Sequence, residues 1–263
     1  MSENYKKTAI ITGVSRVKSI GYGIANRLAS DGFNLFLHSF SEYDKMMYDK
    51  MMLSNYSSSE LKQIKESLKK YDIEIEQMDL DFYIPEAPNI LFKSAIERFQ
   101  HIDVLIINHT YDSLTSLNDL TANEIDKHLA VNIRASLLLI KEYMIYQDGR
   151  NGGRIILLTS GQHLAPQNDE LAYIASKGAL HQITQSLSDM VIEKGITVNT
   201  INPGPTETYT PNKEINDAVL KKMPQKRWGQ PDDAARIISW LVSDEGHWVT
   251  GQVINSEGGF RRG

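Results

Sequence analysis

Short apolar runs alternate with longer segments of helical period along the whole sequence. Seven runs read as strands: Thr8–Thr12, Asn34–His38, Glu74–Met78, Val104–Asn108, Arg154–Thr159, Thr197–Asn202 and Gln252–Asn255. Most are β-branched or Leu-rich at consecutive positions, as in strands covered by helices on both faces. Between them, Tyr22–Asp31, Ser59–Tyr71, Ala87–Phe99, Ala122–Gln147, Glu170–Lys194 and Asp232–Ser243 carry a helical period. Gly32 and Gly195 stand where helix C-caps belong, and Pro231-Asp232 marks a helix entry. Strand and helix alternate without a linker or an internal repeat. The pattern predicts an α/β fold: one doubly wound parallel sheet of about seven strands with helices on both faces, forming a single domain over residues 1–263. Residues Ser41–Ser58, rich in Met, Tyr and Ser, read as an irregular surface insertion after the second strand.

Composition narrows the classes of function. The chain has 263 residues, 41% hydrophobic and 23% charged, which is ordinary for a soluble globular protein. A formal net charge of -5 disfavours nucleic acid or an anionic membrane as the main partner. The absence of Cys excludes disulfides, thiolate metal sites and cysteine nucleophiles, and no metal is expected. Apolar runs such as Val104–Ile107 and Leu137–Ile140 are too short to span a bilayer. The N-terminal MSENYKK runs directly into TAIIT and leaves no room for a secretory apolar region. The expectation is a soluble cytoplasmic protein.

The first strand leads into "TGVSRVKSIGYGIA", Thr12 to Ala25. Gly21 and Gly23 form the close pair of a dinucleotide-binding loop. Without Cβ atoms, they would let the backbone approach a pyrophosphate at the positive helix N-terminus. Seven residues separate Gly13 from Gly21, whereas short loops of this kind have three. An ordinary strand–helix turn is the alternative for the glycines alone. Asp79, before Leu80, ends the third strand, where its carboxylate could accept from an adenine amino group or cap a helix. Asn132 lies inside a predicted helix, an unfavourable position unless it faces solvent or serves a site.

Ser160 and "YIASK", Tyr173 to Lys177, carry the strongest chemical signal. Ser160 follows the apolar strand RIILLT, which places its hydroxyl at the carboxyl edge of the sheet, where such folds bind ligands. Tyr173 and Lys177 are four residues apart on a helix and share a face. An ammonium near a phenol lowers a pKa that is otherwise about 10, which makes Tyr a workable acid or base.

Together with "NPGPTET" at 202–208, "RWGQPDDAA" at 227–235 and "TGQVINSEGG" at 250–259, these segments resemble the short-chain dehydrogenase/reductase family over nearly the whole chain. The overall pattern is most similar to the 3-oxoacyl-[acyl-carrier-protein] reductases. The resemblance implies a Rossmann-like fold and an NAD(P)-dependent oxidoreductase interconverting a ketone and a secondary alcohol, with a small-molecule or thioester carbonyl as substrate. Tyr173 would exchange the proton, Ser160 would hold the reacting oxygen, Lys177 would bind the nicotinamide ribose, and Asn132 would anchor a relay water. The cofactor would meet Gly13, Ser15, Arg16, Ile20, Gly21, Gly23, Ser39, Asp79, Leu80, Asn108, His109, Tyr173, Lys177, Pro203, Gly204, Thr206 and Thr208. A homotetramer pairing the two long helices is also implied.

Cofactor choice and reaction type follow from departures. His38-Ser39-Phe40-Ser41 carries no carboxylate to repel a 2′-phosphate, and Arg16 matches a phosphate-binding position in related NADP enzymes, so NADP is expected over NAD. His109 and Thr110 replace the small residues usual after the fourth strand. The lengthened loop resembles enoyl-carrier-protein reductases. Those enzymes place their Tyr six or seven residues before the Lys, where this chain has Leu171 and Glu170. A catalytically silent nucleotide-binding sensor or scaffold is the alternative function. The departures near Asn108 favour it, and the intact Asn132, Ser160, Tyr173 and Lys177 oppose it.

Overall fold

The computed structural model describes residues 5–50, 59–148, 150 and 152–262. Its seven strands form one parallel sheet in the order β3-β2-β1-β4-β5-β6-β7. They are β1 (Thr8–Ile11), β2 (Asn34–Ser39), β3 (Ile75–Asp79), β4 (Val104–Ile107), β5 (Arg154–Leu158), β6 (Thr197–Asn202) and β7 (Val253–Asn255). The order reverses between β1 and β4, the switch point at which a ligand crevice opens beyond the carboxyl ends of the strands. All residues of β1, β4, β5 and β6 are buried; β4 is apolar throughout, whereas β6 buries Thr197, Asn199, Thr200 and Asn202 as well as Val198 and Ile201.

Helices cover both faces. α1 (Ile20–Ser30), α3 (Glu60–Leu68) and α9 (Pro231–Val242) bury one side with Ile24, Leu28, Ile64 and Ile238. α4 (Ala87–Phe99), α6 (Ala135–Ile145) and α7 (Leu171–Val191) close the other with Leu91, Phe92, Leu139 and Tyr143. Pro231 sits in the first turn of α9, and Gly32 and Gly195 adopt positive φ just past their helices, as expected from their positions. Among the described residues no helix is long and apolar enough to cross a membrane.

Two elements differ from expectation, and a third forms in the polar, helix-capable segment Glu207–Arg227. Ser41–Lys50 is a helix, α2, within the region read as irregular; the rest of that region, residues 51–58, lies outside the described residues. Asp79 caps it from a neighbouring strand, accepting from Ser41 N–H at 3.0 Å and Ser41 Oγ at 2.6 Å. Glu42 and Asp44 in its first turn favour the helix dipole. The long helix expected over Ala122–Gln147 is interrupted: α5 (Ala122–His128) passes through a π-helical turn, Leu129–Arg134, into α6, which ends at Ile145. The polar segment before α9 holds α8 (Lys213–Lys222), whose N-cap Asn212 accepts from Ile215 N–H.

Candidate active site

β1 leaves the sheet at Thr12, whose hydroxyl is the hub of the switch point. It accepts from Asn108 N–H at 2.9 Å and lies 2.8 Å from His109 Nδ1. Asn108 Nδ2 donates to Thr12 O and Gly13 O, tying the ends of β1 and β4 together. Gly21 lies so close to this knot that a Cβ would come 2.8 Å from Asn108 Nδ2. Gly23 serves differently. Its missing Cβ makes room for Pro231, so it packs α1 against α9 and faces away from the crevice. Ser19 caps α1, accepting from Tyr22 N–H, and the helix starts at Ile20, two residues earlier than expected. The added loop residues therefore precede a helix start that is intact.

A cavity of about 530 Å³ opens here, lined by Gly13, Ser15, Arg16, Ile20, Gly21, Asn108, His109 and Thr208 among the expected cofactor contacts. Ser39, Asp79 and Leu80 are not among its lining residues. Ser39 is fully buried and donates to Asp79 Oδ1 at 2.6 Å, so both Asp79 oxygens are engaged by Ser39 and Ser41. Asp81 and Phe82 line the cavity in their place.

His38 escaped the sequence reading. Its Nδ1 accepts from Gly13 N–H at 3.2 Å, its Nε2–H donates to Leu80 O at 3.0 Å, and its ring stacks on Phe82 at 3.8 Å. Burial lowers its pKa to about 4, so it is neutral at physiological pH. His109 turns inward, donating to Val131 O, and burial likewise holds its pKa well below the ordinary value. Two neutral imidazoles and Phe82 thus form an aromatic wall.

Arg16 pairs with Asp44 of α2, Nε to Oδ1 at 2.9 Å, and donates to Thr208 O at 3.2 Å. His38–Ser41 itself carries no carboxylate, but α2 brings both Glu42 and Asp44 to the lining beyond it. The sequence window stopped at Ser41, one residue short of the first of them.

The catalytic candidates gather just beyond the cavity rim at Tyr111 and Asp112. Ser160 follows β5 and lies near enough to the Tyr173 phenol of α7 to favour its ionised form. Lys177, one turn on and 2% exposed, donates to Leu158 O at 2.9 Å and lies 5.8 Å from the Tyr173 ring centroid. Burial raises the phenol pKa, reinforced by Asp112 and opposed by the nearby Ser160 hydroxyl; burial lowers Lys177 to about 8. The expectation that Lys177 depresses the phenol pKa does not hold in this geometry, where desolvation is the larger effect.

Asn132 lies in the π-turn and is buried. Its Nδ2 donates to Tyr111 O at 2.9 Å and Ser176 Oγ at 2.8 Å, and its Oδ1 accepts from Tyr111 N–H at 2.7 Å. The side chain ties the segment after β4 to the catalytic helix. Tyr43 of α2 adds a second tie: its hydroxyl accepts from Asp112 N–H at 2.9 Å and donates to Asp112 O at 3.2 Å. Past β6, Gly204 N–H donates to Asn202 Oδ1 and Thr206 Oγ1 to Gly204 O, giving the Pro203–Thr206 turn a fixed shape outside the main cavity lining.

A switch-point crevice with a Ser–Tyr–Lys group beside it defines a dinucleotide-type oxidoreductase. A family model described as enoyl-(acyl carrier protein) reductase matches residues 13–261. The Bacillus subtilis protein described as uncharacterized oxidoreductase YjdA is 37% identical, with both chains covered in full. The 3-oxoacyl-[acyl-carrier-protein] reductase FabG of Rickettsia conorii is 28% identical over 97% of this chain and 96% of its own. A short-chain dehydrogenase from Burkholderia cenocepacia, solved in complex with NADP, superposes with a TM-score of 0.84 at 28% identity, covering 96% of this chain and 97% of that one. The chain belongs to the short-chain dehydrogenase/reductase family.

Proposed function

We propose that the protein is an NADP-dependent reductase of ketones, reversible toward secondary alcohols, with 3-oxoacyl thioesters as the substrate class to test first. The observation that carries this reading is the placement of Ser160 just past β5 near the Tyr173 phenol of α7, with Lys177 buried one turn on and 5.8 Å from the Tyr173 ring centroid. Ser160 and Tyr173 present two hydroxyls to one carbonyl oxygen, and Tyr173, kept protonated by burial, delivers the proton. A bound nicotinamide would supply the hydride. Lys177 holds the ribose side, and Asn132 fixes α7 against the Tyr111 segment. The glycine loop, Arg16, Asn108 and the aromatic wall of His38, Phe82 and His109 would hold the adenosine and phosphates; their cavity has the size and the switch-point position that such a ligand needs.

Arg16 at the lining and the NADP held by the Burkholderia relative support the 2′-phosphorylated cofactor; Asp44 would share Arg16 with that phosphate. The spacing from Tyr173 to Lys177 supports C=O over C=C chemistry, since Glu170 and Leu171 carry no phenol. The test follows NADPH and NADH oxidation with acetoacetyl and crotonyl thioesters, diketones and quinones. NADPH with acetoacetyl thioester should turn over faster than NADH, and faster than NADPH with crotonyl thioester. Faster crotonyl reduction, or a higher kcat/KM for NADH, would overturn the corresponding half of the reading.

A homotetramer is part of the proposal. Leu129 and Leu137 on the π-turn and α6, Met190 on α7 and Trp248 before β7 are exposed apolar side chains that paired helices and paired sheet edges would cover. Light scattering at micromolar concentration should give four times the chain mass; a monomer would refute it.

A further inference from the structure

The C-terminal segment after β7 returns to the active site. Ser256 N–H donates to Asn202 O at 2.8 Å, and Arg261 N–H donates to Lys222 O at 3.0 Å, so the segment is anchored at both ends. Next to these anchors, Glu257 just after the first and Arg262 just after the second form a forked pair, Nη1 to Oε1 and Nη2 to Oε2, each 2.6 Å, with side chains only 11% and 15% exposed. The pair touches two loops. The Arg262 guanidinium fills the space where a side chain at residue 161 would begin: its Cζ lies 2.8 Å from the position a Gly161 Cβ would take. Gly161 directly follows Ser160. On the other side, Glu257 Cα lies 2.9 Å from the position of a Gly204 Cβ, and Glu257 Oε2 accepts from Asn202 Nδ2 at 2.9 Å.

We propose that Glu257 and Arg262 are positioning residues that fix the Ser160 loop relative to the Pro203–Thr206 turn. The inference rests on the carbonyl-reductase reading, in which the first loop holds the reacting oxygen and the second borders the nicotinamide. A bidentate guanidinium–carboxylate fork sets angle as well as distance, which a Lys cannot do. Both loops leave the sheet at neighbouring strands, β5 and β6; the tail seats its backbone at Glu257 against Gly204, where a Cβ would clash, and lays the Arg262 guanidinium over Gly161. The separation of carbonyl and hydride donor therefore depends on residues at the far end of the chain. A misplacement of about 1 Å costs on the order of a hundredfold in rate.

The test uses the full chain carrying Arg262→Met, Arg262→Lys or Glu257→Gln. With acetoacetyl thioester, Arg262→Met should lower kcat by roughly tenfold to a hundredfold while KM for NADPH barely moves. The isotope effect from 4-deuterated NADPH should rise as hydride transfer becomes limiting. Arg262→Lys should not restore the rate, whereas methylguanidinium added to Arg262→Ala should. Glu257→Gln, which retains part of the fork, should fall between wild type and Arg262→Met. An activity-independent readout is amide hydrogen exchange, which should speed up in both 159–164 and 202–206 with the sheet core still protected. Wild-type kcat in Arg262→Met, full rescue by Lys, or unchanged exchange in either loop would overturn the proposal. A wild-type protein with no carbonyl turnover would instead refute the proposed function, and exchange would still decide whether the pair couples the loops.

Discussion

Tyr173→Phe is expected to lower kcat for ketone reduction by about 10²–10⁴-fold, the usual loss for a positioned general acid. NADPH affinity should stay close to wild type, because the phenol faces Ser160 and not the cavity that would hold the adenosine and phosphates. The substitution keeps the ring beside Lys177 and removes only the hydroxyl. The pH profile supplies the sign. Burial holds the phenol pKa above its ordinary value, so Tyr173 is a proton donor throughout the neutral range. Ketone reduction should not lose rate through this group near neutrality, whereas alcohol oxidation, which needs the phenolate, should rise with pH. Steady-state kinetics in both directions, with NADPH binding followed by fluorescence, would check each element. More than about a tenth of wild-type activity remaining in Tyr173→Phe would remove Tyr173 from the chemistry.

The parts of the fold legible in the sequence are those that physical patterning determines locally. β1, β4 and β5 announce themselves because consecutive apolar residues have no place except between two helical layers. Thr12, Asn108 and Thr159, read as strand residues, lie just past the strand ends, where their side chains bond neighbouring loops and helices. That bonding depends on residues tens of positions away. α2 was missed for the same reason: its cap, Asp79, belongs to β3. The π-turn leaves no mark in the hydrophobic period, since it shifts Asn132 by a fraction of a turn while the flanking helices keep theirs. Gly23 was misassigned because two glycines in one motif look alike, and only Pro231 shows that one of them serves packing. The Ser160, Tyr173 and Lys177 group was legible because helix geometry alone puts Tyr173 and Lys177 on one face. Asp112, Tyr43 and the tail pair Glu257–Arg262 were not, since each reaches the site through tertiary contacts.

Lys177→Met is expected to abolish useful turnover and at the same time stabilise the protein near neutral pH. The ammonium is buried, and desolvation lowers its pKa from 10.5 to about 8. At pH 7 it is charged in both folded and unfolded chains, so the folded state bears the cost of burying that charge, on the order of 3 kcal/mol. Methionine fills a similar volume without a charge. It leaves Leu158 O without its Lys177 donor, a loss of about 1–3 kcal/mol, which reduces the net gain. Proton linkage separates the two contributions. Between about pH 8 and 10.5 the folded protein has released the Lys177 proton and the unfolded chain still binds it, so wild-type stability rises with pH in that window. Below pH 8 the cost is constant. The Met variant has no such group, and its lead over wild type should therefore hold steady up to about pH 8 and then shrink toward pH 10.5. Denaturant unfolding of both proteins at several pH values between 7 and 10.5 would measure this difference. A lead that does not change across that window would mean that Lys177 is not a buried charge in the folded protein. Its ammonium would then be as well solvated beside Tyr173 as in the unfolded chain, whereas a neutral amine would make the lead shrink from pH 7 onward.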